Sequence, residues 1–543
     1  LTRVSINPCR YAAAAAKRPR DGPEKSPRAH AQKLAASAAY WSKAQRALSP
    51  RPQGAHVRLS AQKRRKYMKK IYMVSSEVSP FAKTGGLGDV LGSLPEAIAK
   101  LGNDVRVVMP KYGLIAPEYV EQMEFLFFIY VPVGWRNKYC GVFELQKNGV
   151  TYYFIDNEYY FGDPHIYKWN DLERFSFFAR AAVQILQNLK WRPDIIHCHD
   201  WQAGAIPVLL DAHYRKDMFY SGIKTIFTIH NLAYQGIYDI DTVKDFLSLK
   251  DSYFTNDKLE FHGGANLLKA GLVYSDYITT VSPTYSEEIK SEAYDEGLEG
   301  LLRARANSLC GIINGINYDE YSPKTDKLIF ENYDSRNFAA GKRNNKLFLQ
   351  EELGLEVNPD IPMFGIVSRL VGQKGFGLLG EILPALSQMD IQLVILGTGD
   401  EQIENMFRHE AWCNPSKISA NITFNNTLAH KIYASCDMFL MPSLFEPCGL
   451  SQMISLSYGT IPIVRETGGL ADTIQPYNEF DDIGNGFTFA AANSADMMFT
   501  IKRALEFYKN KTAWKSLVRR GMKENFSWDN SAKSYEEIYE KIL

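Results

Sequence analysis

Three charged residues in the second half of the chain have types and spacing that can do chemistry. Arg369 and Lys374 lie five residues apart in "SRLVGQKG", a stretch that reads as a strand-end loop. Two cations placed so can neutralise a diphosphate, Arg369 by bidentate bonds and Lys374 as a point charge. A solvated basic loop is the ordinary alternative. Glu446 stands beside Pro447 in "FEPCGL". A carboxylate there can accept bonds from sugar hydroxyls or stabilise positive charge developing at a sugar carbon. It can equally be a surface or helix-capping acid. Its neighbour Cys448 reads as a packed thiol, since the sequence identifies no group to activate it.

The first half offers a second set. In "KTGGLGDV" (83–90), Gly85, Gly86 and Gly88 follow an apolar run and precede a helix-like stretch, with Lys83 and Asp89 on either side. Glycines at a strand-to-helix turn let backbone N–H groups approach an anion, and a helix N-terminus adds positive potential. The motif is neither a Walker A loop nor GxGxxG, because Leu91 takes the third glycine's place, and an ordinary tight turn explains it too. Pro95 is expected to kink or restart the helix. "GTGD" (397–400) and "ETGGLAD" (466–472) are further glycine turns suited to a ribose, adenine or phosphate edge. "IHCHDWQ" invites a metal reading, but strand alternation separates Cys198 from His197 and His199, and no second ligand cluster follows. Asp200 and Trp201 at its exit suit hydroxyl bonding and stacking. His230 and Asn231 end the next strand and can face the same point, although a satisfied core histidine is the plainer reading of His230.

These residues need elements to bring them together. From Lys69 onward, short β-branched runs alternate with helical stretches, the signature of α/β layers around parallel sheets. Expected strands in the first half are 71–76, 104–110, 193–200, 224–231, 277–283 and 310–316, with an antiparallel insertion over 125–155. In the second half they are 363–370, 391–399, 422–427, 438–443 and 461–466. The polar residues above cluster at the carboxyl ends of these strands, where open parallel sheets bind ligands. We expect two doubly wound Rossmann-like domains, 68–317 and 318–525, with the site in the cleft between them.

Composition narrows the partners. The 543 residues are 45% hydrophobic and 23% charged, ordinary globular values. Residues 1–67 hold 16 Lys/Arg against Asp21 and Glu24, a local charge of +14, which leaves −13 on 68–543. That Arg- and Ala-rich leader is expected to be disordered, either a transit peptide or non-native upstream sequence. An acidic body argues against nucleic acid as the main partner. No apolar run approaches the roughly 20 residues that span a bilayer. The seven scattered cysteines lack any CxxC pair and fit unpaired thiols in a reducing compartment.

In order along the chain, "KTGGLGDV", "HDWQAG", "HNLAYQG", "LKAGLVYSDYITTVSPTY", "GIINGI", "SRLVGQKG", "FEPCGLSQM" and "RETGGLADT" resemble the motifs of bacterial glycogen synthases and plant starch synthases. The resemblance covers about 69–543 and is less close to the UDP-glucose-using animal and fungal enzymes. It implies a glycosyltransferase B fold, two facing Rossmann-like domains, with a final helix, 526–543, packing back on the first. It implies transfer of glucose from ADP-glucose to the non-reducing end of an α-1,4-glucan with retention, no cofactor and no metal. Glu446, His230, Asp200, Arg369 and Lys374 would carry the transfer. The donor would meet Lys83, Gly85, Gly86, Asp89 and Asn231 from one side. From the other it would meet Arg369, Lys374, Gly397, the run Cys448, Gly449 and Leu450, and the turn Thr467 and Gly468. Trp201 and Tyr160, the latter in an aromatic stretch over 152–169, are the expected glucan platforms; edge-strand packing is the alternative for that stretch.

Many related transferases carry Glu-x7-Glu; here the second position is Ile454, as in the bacterial glycogen synthases. Both a covalent and a same-face route to retention stay open. Other functional readings are a related transferase using UDP-glucose or making a sucrose-type product, an inactive glucan-binding paralogue, and a nicotinamide dehydrogenase, the last disfavoured by the missing GxGxxG. A cytoplasmic location is expected, or a plastid if 1–67 is a transit peptide. Glycogen or starch as product, oligomeric state and regulation are not legible.

Overall fold

The computed structural model describes residues 67–294 and 296–543, so the leader expectation lies outside the described residues except for Tyr67. In chain order the strands of the first half are β1 (Lys70–Val74), β2 (Asp104–Pro110), β3 (Glu124–Val133), β4 (Arg136–Lys147), β5 (Val150–Asp156), β6 (Ile195–His199), β7 (Lys224–Ile229), β8 (Ile237–Tyr238), β9 (Glu260–Phe261), β10 (Gly264–Asn266), β11 (Tyr277–Thr280) and β12 (Leu309–Gly311). Those of the second half are β13 (Met363–Val367), β14 (Gln392–Leu396), β15 (Ile418–Asn421), β16 (Met438–Met441), β17 (Ile461–Arg465) and β18 (Phe487–Phe489).

Among the described residues, the first sheet runs β12-β11-β7-β6-β1-β2-β5-β4-β3 and the second runs β15-β14-β13-β16-β17-β18. β8, β10 and β9 form a small separate sheet. Pairing is parallel from β12 through β5; for example, Ile71 lies between Val105 and Ile195. The second sheet is parallel throughout. Runs such as "IYMV" and "IIHCH" are buried at every position, as strands covered by helices on both faces must be.

Several expected elements shift. The insertion over 125–155 is antiparallel only between β3 and β4 and between β4 and β5; β5 joins β2 in parallel. The strand expected over 422–427 is β15, at Ile418–Asn421; Asn425 instead caps the helix Asn426–Ser435, its side chain accepting from Leu428 N–H. β12 is three residues long rather than spanning 310–316, and β18 went unread because its apolar run is only "FTF". The helix Gly86–Lys100 passes through Pro95 without a break.

Among the described residues, one large apolar core follows the first sheet and another the second, with two smaller clusters beside the second sheet. The final helix, Trp528–Ile542, gives Trp528, Ala532, Tyr535, Ile538 and Tyr539 to the core of the first sheet. It is tied there by Lys69, whose Nζ donates to Glu536 at 2.7 Å, and by Asn103, which donates to the same carboxylate at 2.8 Å. No helix among the described residues is long and apolar enough to cross a membrane.

Candidate active site

One cleft of about 1220 Å³ opens between the strand ends of the two sheets. Lys83, Gly85, Gly86, Asp89, Asp200, Trp201, His230 and Asn231 line it from the first half. Arg369, Lys374, Gly397, Glu446, Cys448, Gly449 and Leu450 line it from the second. A parallel sheet sends all its strands out on one side, so residues far apart in sequence meet there.

On the second side, Lys374 Nζ donates to Glu446 Oε2 at 2.5 Å, and Ser443 Oγ donates to the same oxygen at 3.0 Å. Glu446 is 5% exposed, so this carboxylate is held at a defined place rather than capping a surface helix. Arg369 reaches across the cleft and donates to the Tyr234 hydroxyl at 3.2 Å. On the first side Lys83 pairs with Asp89 at 2.8 Å. Burial pulls the Lys83 amine down, but Asp89, with Glu320 and Glu77 adding, leaves it above its ordinary value. Each of these three cations makes one side-chain bond among the described residues and keeps further N–H donors for a ligand.

Asp200 follows β6 with a left-handed backbone, φ 56°, and its carboxylate accepts from the His230 N–H at 2.8 Å. Burial lifts its carboxyl to about 7. His230 is held neutral, its imidazole pushed down to about 3 by burial. Cys448 is a buried thiol raised to about 12, also by burial, which removes it as a nucleophile. Gly397 is required by packing: a β-carbon there would lie 1.8 Å from the Ser368 carbonyl. Among the described residues no group of His, Cys, Asp and Glu side chains converges as metal donors.

Four expected roles change. Tyr160 is fully buried, its hydroxyl donating to Glu173 at 2.6 Å while its ring packs on Phe161 and Phe177, so it offers no platform to a glucan. Trp201 lines the cleft but is only 8% exposed. Phe175 meets its ring edge-on at 5.4 Å, and Gly236 lies so close that a β-carbon would come within 2.4 Å of the ring, leaving little free face. Thr467 and Gly468 do not line the cleft: the Thr467 hydroxyl and the Gly468 N–H both donate to Glu288, at 2.9 and 3.0 Å. The glycines of that turn serve close packing, since β-carbons at Gly468 and Gly469 would strike the carbonyls of Glu446 and Cys448 at 2.0 and 2.1 Å. Without β-carbons there, the turn can lie directly against the Glu446 loop.

The glycine turn after β1 also works differently from expectation. Its Thr84 and Gly85 N–H groups donate to Glu77 Oε2 at 2.6 and 3.3 Å, and the Thr84 hydroxyl donates to Glu77 Oε1 at 2.8 Å. A built-in carboxylate thus takes the place read as open to an anion at these two groups. Glu77, Tyr234 and Ser443 went unselected in the sequence, although Glu77 stands at a strand exit and Tyr234 lies inside "HNLAYQG". Phe424, 86% exposed, is a further cleft-lining residue that no motif marked.

Two facing Rossmann-like sheets with a carboxylate and cations converging between them define a transferase of the glycosyltransferase B fold. The comparisons with known proteins narrow this class. A starch synthase catalytic domain family matches residues 70–304, and the glycosyl transferases group 1 family matches 352–520. A glycogen synthase of Lachnospira eligens is 53% identical over 88% of this chain and all of its own length. One of Lachnoclostridium phytofermentans is 51% identical over the same shares. The solved catalytic domain of starch synthase IV from Arabidopsis thaliana, bound to ADP and acarbose, is 31% identical with a TM-score of 0.83, over 88% of this chain and 99% of that one. The chain belongs to the family of glycogen and starch synthases, and is a glucosyltransferase.

Proposed function

We propose that the chain transfers glucose from ADP-glucose to the non-reducing end of an α-1,4-glucan, with retention of configuration. The observation that carries this is the convergence of Lys374, Arg369 and Glu446 from one sheet with Lys83, Asp200 and His230 from the other in a single cleft. The solved relative bound to ADP and acarbose supports a nucleotide and a saccharide as the two ligands.

Arg369 and Lys374 take the diphosphate. Charge gathers on it as the glycosidic bond breaks, so cations there lower the barrier without a strong general acid. Glu446, freed in part from Lys374 by the arriving phosphate, lies beside the glucosyl carbon and stabilises the oxocarbenium-like state. His230, neutral, hydrogen-bonds a sugar hydroxyl. Phe424 offers a free aromatic face at the cleft wall for the base. A cleft closed around the donor keeps water from intercepting the glucosyl group. The reaction needs neither cofactor nor metal in this reading, and the site is assigned to the cytoplasm.

The test is glucosyl incorporation into a glycogen primer from ADP-glucose and, separately, from UDP-glucose at equal concentration. The reading expects strong preference for ADP-glucose. Preference for UDP-glucose would overturn the donor assignment, and no transfer from either would overturn the activity.

A further inference from the structure

Three imidazoles form a buried line from the core of the first sheet to the cleft. His197 and His199, both on β6 and both fully buried, stack with ring centres 4.2 Å apart. His197 is held at both nitrogens, by the Thr228 hydroxyl at 2.6 Å and by the hydroxyl of Tyr539, on the final helix, at 3.1 Å. His199 Nδ1 lies 3.0 Å from Nε2 of His230, the cleft-lining member. His199 Nε2 is buried with no partner among the described residues.

That orphan decides the direction of the central bond. If His230 donated, His199 would carry its proton on Nε2, leaving a buried N–H without an acceptor. If His199 donates from Nδ1, the orphan is only an unused lone pair. Buried orphan N–H groups are the rarer and costlier case. His230 must then carry its proton on Nδ1, which has no protein partner among the described residues. Burial keeps all three rings neutral, so the line carries no charge that would change this. The other titratable groups around it are Asp200, on the His230 backbone, and Tyr535 and Tyr539 against His197.

We propose that His199 is a positioning residue for the transfer: its Nδ1–H donates to His230 and so fixes His230 as the tautomer whose Nδ1–H is offered to a sugar hydroxyl in the cleft. A hydroxyl oxygen can accept from this nitrogen, and the wrong tautomer would present a lone pair instead. The kinetic part of this inference rests on the functional reading above; the tautomer does not.

Two measurements test it. In 15N-histidine-labelled full chain, the His230 resonance, assigned by loss in His230→Asn, should show the proton on Nδ1. A proton on Nε2 overturns the proposal, and this reading of the unaltered chain does not depend on the His199 variants folding. In kinetics, His199→Phe keeps an aromatic ring without the donor, and should lower kcat by about tenfold to a hundredfold with ADP affinity unchanged. His199→Asn, whose amide N–H replaces Nδ1–H, should restore most of the rate. Equal rates for His199→Phe and the unaltered chain, or equal losses in both variants, would overturn it. If the unaltered chain transfers no glucose, the functional reading fails and the resonance alone decides the tautomer.

Discussion

Lys374 illustrates what residue-level reasoning can and cannot supply. Its type and its spacing from Arg369 read as a diphosphate pair, but the sequence could not place it 2.5 Å from Glu446, which lies 72 residues later. Lys374→Ala removes one charge-assisted bond to the donor, worth about 1.5–3 kcal/mol. ADP affinity by calorimetry should therefore fall roughly tenfold to a hundredfold. Unchanged affinity would remove Lys374 from the phosphate site. Asp200 supplies a second prediction. Its folded carboxyl, raised by burial from 3.8 to about 7, keeps a proton that the unfolded chain has already released in that window. Stability contributed at low pH is thus lost as pH rises from about 4 to 7. Asp200→Asn removes this loss, so its urea midpoint should gain on the unaltered chain as pH rises from about 5 to 8. Tyr160 was misread because aromatic residues near a strand end serve a core as well as a ligand, and only burial separates the two uses; Trp201 does line the cleft, with little of its surface exposed.

At the level of elements, the rhythm of buried strands and helices was legible because parallel strands covered on both faces give unbroken apolar runs. The failures fall where the run is short or the turn chemistry competes. β18 offers three residues, and the Asn-rich stretch after β15 caps a helix rather than extending a strand. The glycine turn after β1 was found from spacing, yet its organiser, Glu77, was not, because a lone acid after a strand carries no motif of its own. Glu77 holds Thr84 and Gly85 and accepts from the Tyr167 hydroxyl at 2.5 Å. Glu77→Ala removes the charged acceptor of those N–H groups, a cost of about 1.5–3 kcal/mol. The variant should unfold at lower urea and show a raised KM for the donor, since the loop carrying Lys83 loses its anchor. A KM equal to that of the unaltered chain would mean the loop is held by other contacts.

For the whole molecule, the two halves meet through more than the cleft. Thr284 donates to Asp472 through both its N–H and its hydroxyl, at 2.9 and 2.6 Å, while Glu288 accepts from Thr467 and Gly468 in return. The final helix is joined to the residue just before β1 through Lys69 and Glu536, 467 residues apart. Both partners are almost fully buried, while Lys69 keeps a second carboxylate, Glu540 at 3.3 Å, so Glu536→Gln should cost about 1–3 kcal/mol and lower the urea midpoint. Such long-range pairs were invisible in the sequence, where neither residue belongs to a motif. The account as a whole stands on Glu446 as the group that serves the glucosyl carbon without being needed to hold the nucleotide. Its most direct test is the transfer rate of Glu446→Ala, taken on protein whose ADP affinity has been measured by calorimetry. The account predicts a rate lowered by about a hundredfold or more with ADP still bound. Near-normal turnover in that variant would contradict it.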